Sequence, residues 1–450
     1  MASENNLLTE DTRVGWFLHE RSAEGSAPSP AVLRNEAGRP TLTIPVSPFE
    51  EDQTTTRWFT GRSTLYSDDP DFTRYEYRPP SSLIFADPRG LVGLFNCRDL
   101  GFKSLLGGAG EGRLHVGFAV FGAFNLDYAK PTHLRTYIPG MGDWVRMSAI
   151  EVTSKSGTDG LSNEVSIQAK KVDPIELAPG VTLKTSWHYN QRDSDNWFQI
   201  QDPPFVETEV PEGAEFAQHL KDHGVFLELV DLAYWQPTGY NRIQCYVSGD
   251  DAQGVAKQWR EVETDYVRHQ SEKHKNNLNP LFWFGEVGAE GYRRWAALRD
   301  KMGKALAPLM TLLDIQDSTL ETRFIQSCVG LEGIGVQLLQ DDGNYNRNSA
   351  PRLKKRLERI VEANGFAFSD DWPERTAKLY NDIKHYDRGA VTDPVDIWNN
   401  LLENQLVFRS WAAMQIGVSR EAVEDRIQYT SAGQQLVGEP GIYFKDYPKK

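Results

Sequence analysis

The punctuation of this chain changes character once, and that change bounds the fold. From residue 13 to about 250, short β-branched and aromatic runs are cut by turn residues at close intervals. Val14–His19, Thr41–Ile44, Thr54–Tyr66, Ser82–Phe85, Leu91–Phe95, Leu114–Phe121, His133–Ile138 and Val181–Trp187 read as strands. Gly38-Arg39-Pro40, Asp87-Pro88-Arg89-Gly90 and Pro139-Gly140-Met141-Gly142 supply turns between them. With no amphipathic helix legible among the strands, the pattern predicts an antiparallel sandwich or barrel rather than βαβ units. From Glu290 onward the period becomes helical. Gly291–Leu313, a segment capped at Ser318 and running to Leu339, and Ser349–Ala363 read as three helices. A fourth runs from Asp370 or Asp371 to His385, a fifth from Asp393-Pro394 to Gly417, and a short sixth covers Ser419–Ile427. Short connections make these an antiparallel bundle. The expected class is therefore α+β and multidomain. Residues 1–250 form a β-rich region, 251–289 a charged helical connector carrying Val255, Trp259, Val262 and Tyr266 at helical spacing, and 290–450 a helical bundle.

Charge narrows the search for a site. Residues 1–286 hold 27 basic and 40 acidic side chains, whereas 287–450 hold 22 and 23. The first part repels a polyanion over most of its surface, so the bundle is the better candidate for binding nucleic acid. Its densest basic run, Arg352–Arg359, also fits a solvated helix face. Cys97, Cys245 and Cys328 are isolated, which fits a reducing cytoplasm and argues against a disulfide framework. The N-terminus lacks a cationic and apolar leader pattern, and no apolar run is long enough to span a bilayer. Neither a cofactor nor a metal is expected. Glu215, His219 and His223 have i, i+4, i+8 spacing but lack the glutamate of a zinc-protease motif. Gly107–Gly112 lacks the Gly-Lys-Ser/Thr ending of a phosphate loop and sits between strand-like runs, as a hairpin loop would. His269, Glu272 and His274 read as solvated.

Residues 380–389, Tyr-Asn-Asp-Ile-Lys-His-Tyr-Asp-Arg-Gly, carry the chemistry. Asn381 and His385 are four apart on one helical face, and Lys384 and Arg388 make a cationic row beside them. An imidazole next to an amide and two cations suits proton transfer at a phosphodiester. The competing reading is a helix end whose His, Lys and Arg answer the C-terminal dipole before Gly389 stops the helix.

The bundle resembles the HEPN superfamily, in particular the ApeA-like HEPN domains. The resemblance rests on the run of helices after Glu290, on the acidic-ended stretch Glu321–Glu332, and on Leu379–Gly389 placed late with a long helix behind it. More loosely, Gly15-Trp16-Phe17 and the hairpin after it resemble the β-rich N-terminal domain that accompanies such bundles. The resemblance implies a metal-independent endoribonuclease of a prokaryotic anti-phage or toxin system. In such enzymes two protomers build one site, the RNA 2′-OH attacks, His moves protons and an Arg four to six residues earlier steadies the phosphate. His385 matches the histidine and Asn381 the polar residue after the arginine; both are the expected catalytic groups. The arginine position holds Tyr380 at four intervening residues and Lys378 at six. Lys384, Arg388, Lys378 and Tyr380 are then the expected substrate-binding set. Expected partners are RNA at the bundle, a second copy of the chain, and a phage or host protein trigger at the β-region. The alternative is a degenerate bundle used for dimerisation or for binding RNA or protein, with a ligand-sensing β-region.

Overall fold

A computed structural model describes residues 12–18, 29–46, 54–61, 66–104, 110–156, 163–192, 197–250, 257–266, 279–364, 366–367, 369, 371–385, 393–435 and 445–446. Eight strands come first: β1 (Arg13–Leu18), β2 (Ser29–Glu36), β3 (Arg39–Val46), β4 (Ser82–Asp87), β5 (Gly90–Phe95), β6 (Arg98–Ser104), β7 (Gly110–His115) and β8 (Phe118–Phe121). Ten follow: β9 (His133–Tyr137), β10 (Ile150–Ser156), β11 (Asn163–Ala169), β12 (Ile175–Ala178), β13 (Val181–Thr185), β14 (His188–Arg192), β15 (Trp197–Gln201), β16 (Pro204–Glu209), β17 (Arg242–Tyr246) and β18 (Arg260–Glu263). Fourteen of them make one sheet in the order β12-β13-β16-β9-β17-β18-β8-β5-β4-β1-β2-β3-β7-β6. All its pairings are antiparallel, while β10–β11 and β14–β15 stand apart as two-stranded hairpins.

Alternation explains the strands. In β1, Arg13, Gly15 and Phe17 face inward while Val14, Trp16 and Leu18 face out. Gly15 is required there: a Cβ would lie 2.2 Å from the Ala86 carbonyl oxygen of neighbouring β4. Inside, Arg13 forms a two-point ion pair with Asp87 at 2.6 and 2.7 Å.

Three expectations change. Residues 54–60, expected in a strand, form helix α1 (Thr54–Thr60), which lays Trp58 into the core with Phe17 of β1 and Leu114 of β7. A nineteen-residue helix sits among the strands; with α2 (Met141–Val145) counted, it is α3 (Phe216–Tyr234). Ten of its residues are buried, so it lacks the polar stripe that marks a surface helix. The helical connector is also corrected over 260–263. This segment is β18, which joins β17 to β8 and so makes two smaller sheets into one. Sheet pairing outweighs a weak helical period here, and Val262 and Glu263 are buried by it.

The helical region contains α4 (Phe284–Thr311), α5 (Leu320–Asp341), α6 (Leu353–Asn364), α7 (Trp372–Lys384), α8 (Pro394–Gln415), α9 (Arg420–Ile427) and α10 (Ser431–Gln434). The cap of α5 is Thr319 rather than Ser318; its side chain accepts the Thr322 N–H. Asp393 and Ser419 cap α8 and α9 through side-chain oxygens. No described helix is long and apolar enough to cross a membrane.

One apolar core runs from the second half of the sheet through α3 into the bundle, linking Trp144, Phe226, Phe284, Trp295 and Trp411. Polar contacts fix this seam. The buried Arg409 of α8 donates to the Leu232 and Ala233 carbonyls at the end of α3, at 3.3 and 2.9 Å. The Trp235 indole N–H donates to Gln405 at 2.9 Å. The cationic side chain thus meets the negative end of the α3 dipole.

Candidate functional site

Helix α8 organises the bundle because 14 of its 22 residues are buried, several of them polar. Asn404 accepts the Trp372 indole N–H of α7 at 3.0 Å and donates to the Ser327 hydroxyl of α5 at 2.9 Å. One turn earlier, Asn400 accepts the Thr376 hydroxyl at 2.8 Å. Trp372 pairs with Asn404 and Thr376 with Asn400, so α7 runs antiparallel to α8. A small apolar cluster of Phe324, Cys328, Leu379, Ile397 and Leu401, with Leu320, Tyr380 and Ile383 against it, closes the end of the bundle. The start of α5, the end of α7 and the start of α8 therefore meet at one place.

The motif lies at that place. Lys384 is the last residue of α7, and His385 is its cap, with φ −111° and ψ 94°. The helix stops one residue earlier than the spacing predicts. The four-residue relation survives in the backbone, where the His385 N–H donates to the Asn381 carbonyl at 3.0 Å. The imidazole is half-buried; Asn381, Lys384 and Lys378 are exposed. Tyr380, at the position where the arginine was sought, belongs to the apolar cluster, and the Lys384 ammonium sits 5.3 Å from its ring centre. Arg388, with Tyr386, Asp387 and Gly389, lies outside the described residues. The structure thus gathers His385, Asn381, Lys384 and Tyr380 at one helix end, with Lys378 on the same helix.

The other candidates resolve differently. His219 and His223 are buried on α3 beneath the sheet, and Thr208 of β16 joins them, at 2.7 Å from His219 Nδ1 and 2.9 Å from His223 Nε2. Thr136 lies 2.6 Å from His223 Nδ1, and His219 Nε2 donates to the Pro131 carbonyl at 2.9 Å. Every ring nitrogen is thereby engaged. Burial pushes both imidazoles below their ordinary range, His223 to about 3. Glu215 is exposed at the cap of α3, and no group of three His, Cys, Asp or Glu among the described residues could hold a metal. Three of the five cations in the basic run are paired: Lys354 with Glu374, Arg356 with Glu332 and Arg359 with Asp342. Gly110 and Gly112 lie in β7, which pairs with β6 as a hairpin; Gly107 and Gly108 lie outside the described residues, as do His269, Glu272 and His274.

Comparison with known families adds two matches. A model described as ApeA N-terminal domain 1 matches residues 13–295, and one described as Apea-like HEPN matches residues 314–422. The first takes in the sheet, α3 and the start of α4; the second holds α5 to α8 and reaches into α9. No curated protein and no solved structure matches the chain.

Proposed function

The chain belongs to the ApeA N-terminal domain 1 family and carries an Apea-like HEPN bundle behind that domain, and from that premise we propose a defence or toxin module that cuts RNA without metal. The observation that supports this is that His385, with Lys384 and Asn381 beside it, caps α7 next to the cluster where the end of α7 meets the starts of α5 and α8. His385 takes the proton of the ribose 2′-OH as that oxygen attacks phosphorus, and a proton passes to the 5′-oxygen as the P–O bond breaks. Asn381 orients the ring or donates to phosphate, and Lys384, Lys378 and Arg388 supply positive charge. Two bundles pair to complete the site, and the β-region receives a phage or host protein trigger. A cytoplasmic setting accords with Cys97, Cys245 and Cys328, which are free and buried.

The test is cleavage of total RNA in EDTA by the wild type and by His385→Ala. Loss of about 10²-fold or more in the variant supports the assigned proton transfer; equal cleavage removes it. A second reading is favoured by one observation: Tyr380 is built into an apolar cluster where the family's arginine would stand. On that reading the bundle binds RNA or protein and cuts nothing. Tight RNA retention without scission would select it.

A further inference from the structure

A cavity of about 370 Å³ lies where the end of α3 faces the end of α4, away from the motif. Four carboxylates line it: Glu228 and Asp231 of α3, Asp265 just after β18 and Asp314 just after α4. No lysine, arginine or histidine does. Two basic groups reach these acids from outside the lining. Arg299 Nε lies 3.1 Å from Glu228, and His115 Nε2 lies 3.6 Å from Asp265. Even with both charged, the acids are in excess.

The walls also hold polar capacity that the fold leaves unused. Glu228 meets the Trp295 indole N–H at 2.9 Å and Arg299 through the same oxygen, Oε2, and its Oε1 has no hydrogen-bond partner among the described residues. Tyr240 is 4% exposed, yet its hydroxyl has no hydrogen-bond partner among the described residues either. That oxygen is not sealed, and the space it reaches is the cavity its residue lines. Burial, with the Asp231 and Glu228 charges added, pushes the phenol above its ordinary range, so it keeps its proton. A buried hydroxyl in this state has lost hydration and regained nothing.

The spacing of the acids selects the kind of cation. No three described His, Cys, Asp or Glu groups are placed to hold one metal ion. Leu227, Met310 and Leu313 add apolar surface to the same walls, and Tyr240 and Tyr266 add rings. A linear aliphatic polyamine has the matching pattern, with ammonium groups set apart by methylenes and each rich in N–H donors. A lysine side chain from a partner protein would bring one charge to four acids.

We propose that this cavity binds an aliphatic polyamine, with Glu228, Asp231, Asp265 and Asp314 taking its ammonium groups and the Tyr240 hydroxyl accepting from one of them. The site bridges the two matched regions: α3 lies in the N-terminal one, and Asp314 is the first residue of the HEPN one. Bound amine ties them together, whether or not the bundle cuts RNA.

Isothermal titration of spermidine into the full chain tests this, at about 0.15 M salt to screen diffuse attraction. The expected result is saturable binding of one spermidine per chain, which magnesium at equal ionic strength does not displace. Tyr240→Phe removes no protein hydrogen bond, so it should melt as the wild type does while binding spermidine about tenfold more weakly. Asp314→Asn, at an exposed position, should weaken it by a similar factor. Glu212→Gln removes an exposed acid ahead of α3 and should leave the affinity unchanged. Tri-lysine, which carries its charges on separate side chains, should bind more weakly than spermidine. Failure to saturate, displacement by magnesium, or folded Tyr240→Phe and Asp314→Asn that bind normally overturns the proposal. An equal loss in Glu212→Gln overturns it as diffuse attraction, and tighter binding of tri-lysine overturns it in favour of a basic protein segment.

Discussion

The two ends of α8 handle buried polarity in opposite ways. Toward the β-region, Gln405 and Arg409 meet the end of α3, and Arg409 has given two N–H groups to carbonyls inside a sealed interface. Its remaining Nη1 has no partner, yet the residue is 0% exposed and no ligand can reach it. Toward the motif, Asn400 and Arg323 also keep unmatched donors; Asn400 is as sealed as Arg409, whereas the Arg323 side chain is only half-buried. Unmatched polarity that is sealed belongs to the architecture. Unmatched polarity at an opening is available to a partner.

The largest expected effect breaks the sealed end. Arg409→Ala removes the side chain that spans α8 and α3, leaves a cavity and orphans two carbonyl contacts, so it should cost about 3–5 kcal/mol of unfolding free energy. Burial lowers the Arg409 pKa to about 9, still charged at neutral pH. Urea denaturation of Arg409→Ala and of the volume-keeping Arg409→Met measures both contributions. Near-neutral behaviour of the alanine variant would mean that Arg409 does not hold α8 to α3 and would remove the contrast.

The next pair sharpens the comparison within α8. Asn404→Leu strands the Trp372 indole N–H and removes the donor to the Ser327 hydroxyl, which keeps its own bond to the Phe324 carbonyl, and about 2–4 kcal/mol of destabilisation is expected. Asn400→Leu deletes a donor that has no acceptor, and the Thr376 hydroxyl can turn to a carbonyl one turn back. Its expected cost is below about 1 kcal/mol. Equal costs in denaturant titration would mean that Asn400 does more for the fold than its contacts show.

This asymmetry also marks what the sequence could disclose. Strand alternation in β1, the caps at Asp393 and Ser419 and the late histidine were legible because each is local. Helix α3 was not, since a helix buried on most sides has no polar stripe to give its period. Strand β18 was hidden for a related reason: four residues between charged segments gain their conformation from two neighbours far away in the chain. Tyr380 joins the expected substrate-binding set by its register, and the cluster it packs against is visible only in the fold.

A pH series tests the β-region side. His219 and His223 are held neutral, with folded pKa values below the ordinary 6.5. Above 6.5 neither state binds the extra proton. As pH falls below 6.5 the unfolded chain takes up protons that the folded chain refuses, and stability drops. His223 alone should contribute about 1.4 kcal/mol per pH unit, from somewhat below pH 6.5 toward its folded value near 3. Urea titrations at pH 7, 6 and 5 should show His223→Gln with a shallower decline than the wild type. Parallel slopes would mean that this ring titrates in the folded protein.

The smallest effect on folding belongs to Lys384, and there the two ends of α8 separate most clearly. Its ammonium sits over the Tyr380 ring in water, a geometry that contributes little to stability. Lys384→Gln should move the melting temperature by less than about 2 °C. A phosphate site at this end nevertheless uses the charge, so the salt dependence of RNA binding should fall by about one ion while base preference stays the same. A variant that melts and binds like the wild type would place the phosphate path away from the last turn of α7. One that melts normally and loses the salt effect would tie function to the open end of the bundle and leave stability with the sealed end.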